Sequence, residues 1–358
     1  MRLRQIYLLL FLFAFVYMAN AQYTEVINSN RPGVSRSAFS VGTNVVQFEA
    51  GPYTVNEEHT PLKREDKGFG IDFAARYGLL LPQLEINLEG SYQNDTRTDY
   101  RSFITTEQKR ANFKTLTLGA KYLVYDPYKN KGEEKPNLYS YHANKRFKWG
   151  DLIPAVAVYV GGNYDTEDNP YTPPGVSGFS PKIMIATQNN FSSGWVFVMN
   201  FIGNRPFTKT KSDTGGEVFV NGEPVNPFEF QYILTLTKSI SDQWVLFGET
   251  QGIKSDFYAD NLFRFGGAYL WNKNFQLDTA LTFNTKDTPS VFSVNFGVSY
   301  RLDFHKDPGL DNGTSAEEEA ERRANKRRSK KKNKDKDGSG GDKKRKKELQ
   351  DIDFDDED

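Results

Sequence analysis

From Phe292 to Leu302 every second residue is apolar: Phe292, Val294, Phe296, Val298, Tyr300 and Leu302 share one parity, and Ser293, Asn295, Gly297, Ser299 and Arg301 share the other. Side chains of a β-strand alternate between two faces, so this run sets one face against an apolar medium and the other against a wet one. The pattern recurs. Phe69, Ile71, Phe73 and Tyr77 oppose Asp72 and Arg76, while Leu84, Ile86, Leu88 and Tyr92 oppose Glu85, Asn87, Glu89 and Ser91. Further on, Leu116, Leu118, Ala120, Tyr122 and Val124 oppose Thr115, Thr117 and Lys121. Phe228, Phe230, Tyr232, Leu234 and Leu236 oppose Glu229, Gln231, Thr235 and Thr237, and Phe275, Leu277, Leu281 and Phe283 oppose Gln276, Asp278, Thr282 and Asn284.

Twelve strand candidates follow, at 45–53, 69–77, 84–93, 113–125, 153–164, 179–189, 195–204, 228–240, 244–254, 261–270, 275–284 and 290–303. Most have the length of a tilted membrane-crossing strand, roughly 9–11 residues, rather than the five or six common in soluble sheets. Two are less regular: 153–164 is apolar on both faces, and 244–252 has no clean parity.

A soluble antiparallel sandwich also alternates. Loop lengths and aromatic positions separate the two. If the first strand is entered from the periplasm, the gaps after odd-numbered strands lie outside the cell, at 54–68, 94–112, 165–178, 205–227, 255–260 and 285–289. Gaps after even-numbered strands are mostly short, as in "GLLLPQ", "NFSSG" and "WNKN". Long loops on one rim and short turns on the other mark an outer-membrane barrel. Trp195, Trp244 and Trp271, with Tyr269 and Phe275, sit beside the short turns, where an interfacial girdle belongs. A sandwich would place Trp in mid-strand.

The chain ends agree with export. Arg2 and Arg4 precede an apolar run from Ile6 to Met18 and then Ala19-Asn20-Ala21, the form of a signal peptide cleaved after Ala21. The run is too short for the roughly 20 residues of a spanning helix. The sequence contains no cysteine, which excludes a lipid anchor, thiol catalysis and zinc–thiolate sites. Residues 326–347 hold thirteen Lys or Arg against three Asp, and 348–358 hold seven carboxylates and no base. Such blocks cannot build a core and are expected to be disordered. The expected organisation is a signal peptide at 1–21, a periplasmic or plug segment at 22–44, a barrel at 45–304 and a charged periplasmic tail at 305–358. The fold class is all-β: a transmembrane antiparallel up-and-down β-barrel of about 12 strands.

The stretches "SNRPGVSRSAFSVGTNVVQFEAG" at 29–51, "LTKSISDQWVLFGETQG" at 236–252 and "GGAYLWNKNFQLDTALTFN" at 266–284 resemble the bacterial outer-membrane barrels named for the MetA pathway of phenol degradation. The resemblance runs diffusely through 29–303 and implies a transporter of small solutes. Two features depart from it: the long, basic connection at 126–152 where a tight turn is expected, and the tail.

The inward parity collects Asp72, Arg76, Glu85, Glu89, Lys121, Lys182, Glu229, Glu249, Arg264, Asp278 and Arg301. Charge in a narrow lumen is costly unless paired or hydrated. These groups are therefore either a salt-bridge network that fills the barrel or a polar constriction that filters a solute. Arg31 and Arg36 of the 22–44 segment are candidates to meet lumen carboxylates as part of a plug.

Catalysis has little support. His59, His142 and His305 fall outside the strands, none beside a strand Ser, and no pair has metal-ligand spacing. Glu85 and Glu89 are about 13 Å apart along a strand, too far for paired glycosidase carboxylates. No metal or cofactor is expected, and export removes nucleic acid as a partner for the basic tail. Two functions remain. One is a passive channel for a small, hydrophobic or aromatic solute, gated outside by 54–68 and 205–227. The alternative is a non-conducting barrel subunit of an assembly or secretion complex. That subunit would dock a protein partner through 126–152 and through Leu349, Ile352 and Phe354 of the tail.

Overall fold

The computed structural model describes residues 26–129, 149–191, 194–210, 219–220, 223–224 and 226–305 of the 358-residue chain. The expected signal peptide at 1–21, residues 130–148 of the long connection, and the expected tail from 306 onward, with Leu349, Ile352 and Phe354, lie outside the described residues.

Twelve antiparallel strands close into a barrel. They are β1 (Val45–His59), β2 (Arg64–Gly78), β3 (Leu84–Asp99), β4 (Thr106–Tyr125), β5 (Ala155–Asp165), β6 (Gly178–Phe191), β7 (Trp195–Asn204), β10 (Glu229–Ser239), β11 (Trp244–Ser255), β12 (Ala259–Asn272), β13 (Phe275–Asn284) and β14 (Ser290–Asp303). Two short strands, β8 (Phe219–Val220) and β9 (Glu223–Pro224), form a separate ribbon in the connection between β7 and β10. Each barrel strand pairs with the next, and β14 returns to pair with β1, so no edge is left unsatisfied. Among the described residues no helix is long and apolar enough to cross a membrane.

The outer face carries the apolar parity. Phe48, Ile71, Leu88, Leu118, Val160, Ile185, Phe201, Leu236, Phe265, Leu281, Phe292, Phe296 and Val298 are all exposed there. The inner face buries the polar one, including Gln47, Arg76, Glu85, Asn87, Lys121, Asn200 and Arg301. This inversion of the usual inside-out rule defines a barrel built for lipid. At the short-turn rim Trp244, Tyr269 and Trp271 form a chain of rings, with centroids 4.8 and 6.2 Å apart, and the Lys238 ammonium lies 5.1 Å from the Trp195 ring centroid.

The opposite rim differs from the sequence-based expectation. The gaps 54–68 and 94–112, expected as loops, are largely strand. The β1–β2 pair continues to His59 and Arg64 around a short 3-10 turn at Thr60–Leu62, and β3–β4 continues to Asp99 and Thr106. Residues such as Glu57, Glu58, Glu65 and Lys67 show no apolar alternation because the strands there rise clear of the apolar band and meet water on their outer face. A backbone ladder needs no apolar face, and cross-strand charges support it. Asp66 of β2 takes a bidentate pair of bonds from Arg97 of β3 (3.0 and 2.9 Å), and Arg110 of β4 bonds both Asp66 (2.9 Å) and Asp95 (2.7 Å). Segment 54–68 is thus a stiff hairpin wall, not a loop gate.

Candidate functional site: the filled lumen

Residues 26–44 have no helix or strand, yet they run through the interior of the barrel, bonded to inward side chains from all around the wall. The Val34 N–H donates to both Glu249 oxygens and the Ser35 N–H to Oε2, all at 3.1 Å. Val41 N–H donates to Glu85 (2.9 Å), and Asn30 N–H to Glu49 (3.2 Å). Asn200 grips Arg36 twice, accepting its N–H (2.6 Å) and donating to its carbonyl (2.9 Å). Lys121 donates to the carbonyls of Ser37 and Phe39, both at 2.9 Å, and Arg76 to that of Asn28 (2.6 Å). A strandless segment buried in a barrel has no backbone partners of its own, so the wall supplies them.

The sequence-derived lumen residues fall into distinct groups. Arg76, Glu85 and Lys121 are fully buried. Arg76 bonds Glu85 through two nitrogens (2.9 and 3.0 Å) and reaches Glu49 (3.3 Å), while the Lys121 ammonium lies 3.4 Å from Glu85. Glu89 pairs with Arg36 of the segment and with Lys182, the latter at 3.4 Å. Glu249 pairs with Arg264 (3.2 Å) and accepts from Thr235 (2.7 Å) besides the segment. Arg31 bonds both oxygens of Asp278 at 3.2 Å. Of the other three, Asp72 lies opposite Ser91, Glu229 accepts from Asn204 and Gln231 at 2.9 and 2.5 Å, and Arg301 pairs with Asp303 at 3.2 Å.

Several contributors escaped the sequence reading. Glu49, Gln47, Gln188, Asn200 and Gln276 all hold the segment. Gln47 and Glu49 alternate with the outward Phe48, a signal that was present in the sequence. Another lies in the anomalous 153–164. Its inward residues Ala155, Ala157 and Tyr159 join Met184, Ala186, Ile202 and Ile233 in a buried apolar patch that includes Ala38 of the segment and packs against its Val34 and Phe39. That strand is apolar on both faces because lipid meets one and the segment the other.

One seam in the wall is thin. The β1–β14 ladder keeps one register from Val45↔Asp303 to Glu58↔Ser290 but lapses at Gly51 and Pro52 and again over 54–56. Proline offers no N–H to the ladder. On the outer face this seam holds an apolar hollow of about 430 Å³, bounded by Ala50, Pro52, Ile71, Leu277, Phe296 and Val298, with Gly51, Gly297 and Asp278 at its floor. From inside, the Arg31 guanidinium fills the gap and donates to the Phe296 carbonyl at 3.0 Å. A Cβ at Gly51 or Gly297 would stand within 2.3 Å of that guanidinium, so only glycine admits it at these two positions.

The closed cylinder, its apolar exterior and its polar, segment-filled interior define a barrel of the outer-membrane type. The sequence matches, over residues 29–302, the family described as "Putative MetA-pathway of phenol degradation", and the chain belongs to that family. Among solved structures it is similar to an outer-membrane channel of the COG4313 group from Pseudomonas putida F1, with TM-score 0.48 and 8% identity, covering 77% of this chain and all of that one. It is also similar to the NanC porin (0.43, 8%, 72% and 100%) and to the translocator domain of the autotransporter NalP from Neisseria meningitidis (0.40, 11%, 73% and 89%). A search of curated proteins found no significant match.

Proposed function

We propose that the protein is a passive outer-membrane channel for a small apolar or aromatic solute, and that residues 26–44 are the plug that keeps its lumen shut. The observation that carries this is how the segment is held: by side chain to backbone hydrogen bonds at Glu85, Lys121, Asn200 and Glu249, with no secondary structure of its own. Water can replace each of those partners, so the filling is removable in a way that a β-ladder is not. The lumen charges form a lining for the plug. We assign no catalytic role to the described histidines: His59 accepts the Leu62 N–H at 3.3 Å, and the His305 ring contacts the Thr43 carbonyl at 3.1 Å.

In this reading residues 1–21 direct export and are cleaved, the short-turn rim faces the periplasm, and the tail follows it there. The apolar hollow at the β1–β14 seam supports an apolar solute, because it offers a path between lumen and lipid behind a single side chain, Arg31.

Single-channel recording in planar bilayers tests the proposal. The mature chain is expected to be nearly silent, and deletion of 26–40 is expected to give stable openings. Equal conductance from both proteins would remove the plug and, with it, the gated channel.

A further inference from the structure

Beside the plug lies a second cavity, of about 300 Å³, at the short-turn end of the lumen. On the barrel side it is lined by apolar side chains on the inward parity, Val196 and Val198 of β7, Val245 and Phe247 of β11 and Ala268 of β12, with Thr235, Thr237 and Ser239 of β10 between the first two strands. The facing wall is the plug's own polar edge, with Ser29, Asn30, Ser35 and Ser37. We infer that this cavity is a binding site for a small neutral amphipathic molecule, with an aliphatic or aromatic body and one hydroxyl-type hydrogen-bonding group. The inference rests on the channel reading and gives it a solute class and a station on the periplasmic side of the plug.

Three observations carry it. First, the lumen has two apolar surfaces, and the plug treats them differently. The one on β5 and β6 is packed against Val34, Ala38 and Phe39, whereas the one on β7, β11 and β12 faces open space. Apolar side chains are out of place on the wet parity of a barrel strand unless something apolar occupies that space. This is also why 244–252 has no clean parity, since Val245 and Phe247 interrupt the polar run. Second, the volume is adequate. An apolar cavity of about 150 Å³ takes up benzene, and ligand pockets begin near 300 Å³.

Third, the surrounding charges are committed. Glu249 is bonded to Val34, Ser35, Thr235 and Arg264, and Arg31 to Asp278 and the Phe296 carbonyl. A charged ligand would lose its hydration for no counter-ion. The serine and threonine hydroxyls that ring the site retain acceptor capacity even when they donate, which suits a ligand O–H.

Calorimetric titration of 2-naphthol into the mature full-length protein in nanodiscs, with empty nanodiscs as the blank, tests the site. Ala268→Phe and Val198→Phe fill the cavity with apolar volume and replace none of the plug's hydrogen-bonding residues. Saturable one-site binding is expected for the unsubstituted protein, with at least a tenfold loss in whichever variant gives a heat-modifiable, folded barrel. Unchanged affinity in a folded variant, or no saturable binding above the blank, overturns the site. Conductance of the protein lacking 26–40 separates the two claims. If that conductance rises while the filled variants bind normally, the site falls and the channel stands. If it stays silent while the filled variants lose binding, the site stands as a pocket of a closed barrel.

Discussion

Glu249 of β11 holds the backbone N–H groups of Val34 and Ser35 at 3.1 Å, while Arg264 of β12 holds the same carboxylate at 3.2 Å. One carboxylate thus links the plug to the wall and neutralises a wall arginine.

Glu249→Ala removes the acceptor for both amides and leaves the Arg264 charge buried without its partner. Orphaned buried donors cost about 1–3 kcal/mol each, so the plug's hold should weaken more than the strand ladder does. Planar-bilayer recording is expected to show more frequent and longer openings than the parent, with an unchanged β-sheet circular dichroism spectrum. Glu249→Gln keeps an acceptor and should fall between the two. A variant as silent as the parent would mean that this grip is not part of the gate.

The seam can be locked. Ala50 and Val298 are register partners just below the skipped pairs, within the span a disulfide bridges, and the protein has no other cysteine to compete. Ala50→Cys with Val298→Cys, when oxidised, is expected to stop transfer of an apolar fluorophore from the lumen to lipid. Ion conductance of the protein lacking 26–40 should not change. Dithiothreitol should restore the transfer, and transfer that persists in the oxidised protein would exclude the seam as a route.

Arg76→Ala should be among the most damaging single changes. It leaves Glu85 and Glu49 buried without their shared cation and frees the Asn28 carbonyl. Breaking a buried pair on one side costs about 3–5 kcal/mol, and the loss should register as a lower denaturant midpoint of the heat-modifiable barrel. Replacing Glu85 with Gln in the same chain should recover part of it.

The hairpin wall has an acid limit. Burial pushes the Asp66 carboxyl up, but the hydrogen bond from Arg97 and the charges of Arg110 and Arg97 outweigh it and hold Asp66, above the apolar band, below the ordinary carboxylate range. A depressed folded pKa contributes stability that is complete above the unfolded value of about 3.9 and is lost as pH falls through the folded one. The hydrogen-exchange protection factors around Asp66, Arg97 and Arg110, corrected for the intrinsic pH dependence of exchange, are therefore expected to be constant from about pH 7 to about pH 5 and to fall below about pH 4. Asp66→Asn should show lower protection at neutral pH and lose that acid step.

Alternation carried the fold. Phe292 to Leu302 could only be a strand with one face in an apolar medium, and the Trp residues beside short turns told which medium. Strand ends were less legible where water bathes both faces: Asn56 pairs with Lys67, and Glu57 with Asp66, across the β1–β2 hairpin with no apolar signal to announce it. For the lumen, parity gave direction but not partnership. Asp278 and Arg31 are 247 positions apart, and nothing local marks one as the other's counter-ion. The plug's backbone donors were the least readable part, because an N–H group has no letter in the sequence. The two irregular strands were informative in retrospect: 153–164 and 244–252 break the pattern where the inner wall meets apolar side chains or the cavity.

The anchors for residues 26–44 are spread over β1, β2, β3, β4, β6, β7, β11 and β13. No partial sheet displays them all, so the berth comes into being only when the last strand zips to the first. A strand that pairs one residue out of step would turn its own anchors toward lipid and leave the leading segment without part of its home. Correct seating therefore reports, from within, that the cylinder has been assembled in register.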